Sequence, residues 1–196
     1  MNKLYFRYGV MGSSKTAEAL MCRFNYIQKG FNVLLLKPSI DNRFENEKPQ
    51  VISRIGLSAD CIKFHKNQDI IDLFNTENKK QKVDVIIVDE CQFCTTKQIE
   101  QLRRISYELP VLCYGLLTNF KTELFEGSKR LIEIADSLQE MKTICTCGRK
   151  ASVNARLIDG KIVTSGAEIM IGAEESYQSM CYKCFRQQLA NQKKCD

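Results

Sequence analysis

The chain has 196 residues, of which 44% are hydrophobic and 27% charged, room for one full α/β domain and a small appendage with an ordinary globular composition. A core of that size needs no disulfide staples, and no run of about 18 uninterrupted apolar residues offers a membrane span. The net charge of +6 comes from 29 dispersed Lys and Arg, and the densest groups (Lys79, Lys80, Lys82 and Lys193, Lys194) are short. This fits a solvated surface, or a mildly positive nucleotide cleft, better than a nucleic-acid stripe.

Arg7 interrupts the apolar N-terminal residues early, which makes them a poor export signal and leads us to expect a cytoplasmic protein. In that reducing compartment the ten cysteines read as metal ligands or buried thiols. Lys3 to Tyr8 reads as a strand. Apolar residues at Ala17, Leu20, Met21, Phe24 and Ile27 give a helix from Thr16 to Lys29 with Gly30 as its stop, and Phe31 to Leu36 reads as a buried strand. Together they form a βαβ unit.

A loop-rich stretch from Ser39 to about Gln50 precedes short strand signals at Val51–Ile52 and Cys61–Phe64. Asp69 to Phe74 reads as a helix, and Val83 to Val88 as an apolar strand ending in Asp89-Glu90. Thr95 and Gln98 fit a capping box opening a helix to about Leu109, stopped by Pro110. Val111 to Leu116 is the next strand, and Ser128 to Leu138 reads as a final helix. Near Met141 the pattern changes to short strands, glycines and paired cysteines, which puts a boundary between residues 1–140 and 141–196.

Gly9-Val10-Met11-Gly12-Ser13-Ser14-Lys15-Thr16 joins the first strand to the first helix and meets the phosphate-loop pattern G-x-x-x-x-G-K-[ST] at all but one defined position. Successive amides and a helix N-terminus would cradle phosphates there, Lys15 reaching the β- and γ-phosphates and Thr16 a Mg²⁺ ion. The departure is Ser14, where a glycine normally stands. A Gly/Ser turn that only caps a helix is the competing reading, weakened by the strand–loop–helix context. Asp89, at the carboxyl end of a strand, is the second expected Mg²⁺ ligand. The only histidine, His65, lies in a polar stretch without an evident partner, so Glu90 is the best-placed base for deprotonating an acceptor.

Cys145-x-Cys147 and Cys181-x-x-Cys184 supply two close pairs, as a structural Cys₄ zinc site requires. Such a closed site would hold a small domain together and perform no chemistry. Cys91 and Cys94 read as buried thiols.

Together these residues resemble the thymidine kinase family, which combines a P-loop core with a zinc-bearing lasso domain. The likeness covers almost the whole chain and implies a P-loop NTPase-like α/β fold, a parallel sheet flanked by helices. It implies ATP binding by Gly9 to Thr16, Asp89 and Gln92, with Glu90 of the Asp89–Phe93 segment as general base. For thymidine it implies Met11, Phe93, Phe120, Leu124 and Phe125, then Glu168, Ile169, Met170, Ile171 and Gly172 of the lasso, with Tyr177 covering the base. Lys37 to Arg43 resembles a stretch near the phosphates more weakly. A homotetramer inhibited by thymidine triphosphate is implied as well, while the dispersed charge and the lack of a long apolar run lead us to expect no nucleic-acid or membrane partner. Leu117 stands where many members have a basic residue, and the first cysteine pair is one residue tighter than theirs. The alternative from the residues alone is a P-loop ATPase or switch whose zinc ribbon binds nucleic acid, with Lys142, Arg149, Lys150, Arg156, Lys161, Lys183 and Arg186 as its basic surface. A zinc-ribbon interaction module with an inactive phosphate loop is the third reading.

Overall fold

The computed structural model describes residues 3–39, 49–166 and 177–192. Arg43 and the lasso residues Glu168, Ile169, Met170, Ile171 and Gly172 lie outside them. The first strand, β1 (Leu4–Tyr8), leads through the glycine-rich loop into α1 (Lys15–Gln28), and β2 (Val33–Pro38) completes the expected βαβ unit. Gly30 ends the helix at φ 82° as expected. A hairpin of β3 (Gln50–Ile52) and β4 (Ser58–Asp60) follows, then β5 (Ile62–Phe64), α2 (Ile70–Lys80) and β6 (Val85–Val88). After a 3₁₀ turn at Cys91–Phe93 come α3 (Thr96–Ile105), β7 (Val111–Gly115), α4 (Glu126–Ile134) and β8 (Ser137–Glu140).

Six of these strands form one sheet in the order β5-β2-β6-β7-β1-β8, with parallel pairing throughout. Strand alternation sorts the apolar residues onto its two faces. Leu4, Phe6, Leu34, Leu36, Ile86 and Val88 meet Phe74 of α2, Ile99 and Leu102 of α3 and Leu131 of α4. Leu35, Val85, Ile87, Leu112 and Tyr114 meet Ala19 and Leu20 of α1 and Val51 of the hairpin. This is the P-loop NTPase-like α/β layering expected from the sequence.

The capping box forms as read: Gln98 N–H donates to Thr95 Oγ1 at 3.2 Å and Thr95 N–H to Gln98 Oε1 at 3.0 Å. The expected helix from Ser128 to Leu138 is corrected at both ends. It starts earlier, at Glu126, and stops at Ile134, because Ser137–Glu140 pairs in parallel with Tyr5–Tyr8 as an edge strand.

The remaining described residues build a three-stranded antiparallel sheet, β10-β9-β11, from β9 (Val153–Ile158), β10 (Lys161–Val163) and β11 (Tyr177–Met180), followed by α5 (Tyr182–Gln192). Its apolar cluster contains Cys145, Val153, Ala155, Ile162, Met180, Cys181 and Phe185, and Val10 of the glycine-rich loop joins it. No helix among the described residues is long and apolar enough to cross a membrane.

Candidate active site

The glycine-rich loop leaves β1 at a point of close approach. A Cβ on Gly9 would lie 2.4 Å from the Met141 carbonyl oxygen and 2.5 Å from Ser13 Oγ, so only glycine fits. Ser14, the departure from the phosphate-loop pattern, takes φ 61° and ψ 22° at the N-cap of α1. The left-handed conformation that suits a glycine is therefore kept by a serine, at a cost of about 1 kcal/mol. Buried Lys15 folds onto its own loop, Nζ donating to the Val10 carbonyl at 2.9 Å and to Ser13 Oγ at 3.2 Å. Burial lowers its pKa from the ordinary 10.5, while Glu90 and Asp89 act in the opposite direction.

One strand, β7, separates β1 from β6, so the loop and the acidic pair emerge along the same sheet edge. Asp89 is 3% exposed. Its carboxylate oxygens lie 3.3 and 3.4 Å from Thr16 Oγ1, so the two expected Mg²⁺ ligands are side by side. Desolvation, reinforced by Glu90, pushes the Asp89 carboxyl up from 3.8 to about 7.

Glu90 is half-buried and holds a left-handed backbone at φ 55°. Its carboxylate accepts a hydrogen bond from Gln92 Nε2, while Gln92 Oε1 accepts from the Leu116 N–H at 3.0 Å. Gln92 thus anchors Glu90 to the end of β7. The 3₁₀ turn carrying Gln92 rests on α4, where a Cβ on Gly127 would lie 2.6 Å from the Cys91 carbonyl oxygen and 2.7 Å from that of Cys94.

The residues expected around a nucleoside fall into two groups. Phe93 and Phe125 meet edge to face at 5.6 Å and, with Gln92, Pro38, Phe64 and His65, line a cavity of about 480 Å³. Met11, Phe120 and Tyr177 meet Asn154 and Arg156 of β9, and Leu124 is about half exposed. His65, left without an evident partner by the sequence, is an exposed residue bonded through Nδ1 to Ser39 Oγ at 2.7 Å.

Three residues not singled out as site residues from the sequence connect the β9 sheet to these groups. Asn154 Oδ1 accepts from the Met11 N–H at 2.7 Å, and its Nδ2 donates to the Thr118 carbonyl at 3.2 Å. Ser179 Oγ donates to the Met11 carbonyl. Arg156 stacks over Phe120 and donates to the Tyr177 hydroxyl. The available signal was the apolar–polar alternation of Val153–Ile158, which sends Val153 and Ala155 into the small apolar cluster and Asn154 and Arg156 the other way.

The four expected zinc ligands converge. Sγ atoms of Cys145, Cys147, Cys181 and Cys184 all lie within 4.8 Å of one another, close enough to hold a zinc ion. The first pair sits on a turn closed by Cys145 N–H to the Arg149 carbonyl at 2.7 Å, and the second opens α5. Amides of Cys147 and Cys181 aim at Cys145 and pull its thiol down to about 6, whereas contacts with Cys147 and Cys181 push Cys184 up to about 12. Four thiols converging this closely, with no other donor type among them, suit a thiophilic divalent metal.

A glycine-rich loop and an acidic strand end on one edge of a parallel sheet define a P-loop nucleotide-binding protein. The family profile described as Thymidine kinase matches residues 2–185. The thymidine kinase of Shewanella oneidensis is 42% identical over 190 residues, covering 95% of this chain and 98% of that protein. That of Photorhabdus laumondii is 43% identical over 197 residues, with 99% and 97% covered, and that of Haemophilus influenzae 45% identical over 184 residues, with 92% and 94% covered. The chain belongs to the thymidine kinase family.

Proposed function

We propose that this chain transfers the γ-phosphate of ATP to the 5′-hydroxyl of thymidine, giving thymidine monophosphate and ADP. The observation that carries the reading is the contact between Thr16 and Asp89, with Glu90 on the next residue fastened by Gln92. Amides of Gly9 to Thr16 cradle the phosphates, and Lys15 exchanges its bonds to the loop for phosphate oxygens as charge builds on them. Thr16 and Asp89 would hold a Mg²⁺ ion carried with ATP, which neutralises phosphate charge. Glu90 accepts the proton of the 5′-hydroxyl as that oxygen bonds to the γ-phosphorus and the bond to the β,γ-bridging oxygen breaks.

Met11, Phe93, Phe120, Leu124, Phe125 and Tyr177 form the nucleoside pocket in this reading, with residues 168–172 supplying backbone partners to the base. Residues 141–196 act as a separate unit that closes over the nucleoside. The Cys₄ group would hold Zn²⁺ as the staple of that unit. A cytoplasmic location is part of the same proposal, and a homotetramer and feedback inhibition by thymidine triphosphate rest on the family likeness. The nucleic-acid alternative loses one member of its basic surface, since Arg156 is 2% exposed.

A steady-state screen of nucleosides as acceptors, with ATP and Mg²⁺, tests the proposal. Thymidine is expected to drive ADP formation in the absence of nucleic acid, with purine nucleosides inert. ATP consumption that ignores thymidine and responds to nucleic acid would favour the alternative.

A further inference from the structure

The side of β9 turned away from the cysteine cluster carries Asn154 and Arg156, each 2% exposed although both are polar. The Arg156 guanidinium carbon stands 3.7 Å from the centroid of the Phe120 ring and 5.2 Å from that of Tyr177. Its Nε donates to the Tyr177 hydroxyl at 2.8 Å, and its Nη2 donates to the same oxygen. Phe120 belongs to the loop after β7 of the parallel sheet, and Tyr177 opens β11 of the small sheet. One side chain therefore grips an aromatic residue from each part of the molecule.

Burying a guanidinium is costly, and a position that asked only for volume would be filled as well or better by an apolar residue. What arginine alone offers is a plane that stacks on a ring while its edge donates two parallel N–H groups. Both features are used here at once. Removing the plane frees Phe120 to tilt, and removing the fork frees Tyr177.

We propose that Arg156 is the positioning residue of the nucleoside half of the site, setting the spacing and tilt of Phe120 against Tyr177 so that a pyrimidine base meets a prearranged aromatic pair. The proposal rests on the thymidine kinase reading. Arg156 acts through the two rings and takes no part in the phosphate chemistry, so its loss belongs in the KM for nucleoside rather than in that for ATP.

The test uses the full-length chain and two variants. Arg156→Lys keeps the charge but loses plane and fork, and Tyr177→Phe keeps the ring but loses the acceptor oxygen. Arg156→Lys should raise the thymidine KM roughly ten-fold or more while the ATP KM stays within about two-fold. Tyr177→Phe, the gentler change, should move the same constant in the same direction. In the double variant the effect of Arg156→Lys should shrink, because the shared contact is already gone. An unchanged thymidine KM, a parallel rise in both constants, or full additivity would overturn the proposal. Wild-type protein inactive on thymidine in the same assay would overturn the kinase reading and this proposal with it. An active wild type with an unresponsive Arg156→Lys variant overturns the proposal alone.

Discussion

At the scale of single residues, Asp89 carries the clearest electrostatic consequence. Its carboxyl is pushed from 3.8 to about 7 by burial and by Glu90, against the opposing pull of Lys37 and the Thr16 hydroxyl. Between those two values the folded protein holds a proton at this position that the unfolded chain has released. The resulting stability is fully present below about pH 4 and is lost as pH rises through about 7. We therefore expect the urea midpoint of the metal-free protein to fall between about pH 5 and pH 8 by more in wild type than in Asp89→Asn, which has no carboxyl to ionise. Identical pH slopes for the two proteins would remove Asp89 from this account. A cation at Thr16 and Asp89 needs the ionised carboxylate, so the same proton competes with metal binding below neutral pH.

At the scale of elements, the site depends on how closely α4 seats against the 3₁₀ turn at Cys91–Phe93. The carbonyl oxygens that a Cβ on Gly127 would strike belong to backbone and cannot swing aside. Gly127→Ala should cost about 2 kcal/mol or more in urea denaturation and lower turnover by displacing Gln92 and Glu90. A change within about 0.5 kcal/mol, with turnover intact, would show that the fit is looser than described. Elements written in local signals were legible in the sequence: the strand–loop–helix around Lys15, the Thr95–Gln98 capping box, the stop at Gly30 and the two cysteine pairs. Ser137–Glu140 was not, because this short polar segment becomes a strand only by pairing with Tyr5–Tyr8, far away in sequence. Ser58–Asp60 lacks an apolar run and is defined by its partner Gln50–Ile52. Arg156, counted among surface cations in the sequence, is buried for the same reason: Phe120 and Tyr177 reach it only through the tertiary fold.

At the scale of the whole molecule, the Cys₄-centred sheet braces both sides of the candidate site. Asn154 and Ser179 hold the N–H and the carbonyl of Met11 in the glycine-rich loop, and Asn154 also reaches the Thr118 carbonyl of the Phe120 loop. The candidate phosphate, metal and base groups are thus assembled from β1, β6, the loop after β7 and β9. Catalysis requires that this assembly deliver a phosphoryl group to an acceptor deprotonated by Glu90. Glu90→Gln is the most direct probe, because the replacement amide oxygen can still accept the bond from Gln92 Nε2 while the base is lost. Thymidine-dependent ADP formation and ATP affinity should be measured on wild type and Glu90→Gln side by side. We expect a loss of turnover of about 100-fold or more with ATP affinity within about two-fold; turnover within a few-fold of wild type would show that Glu90 is not the base.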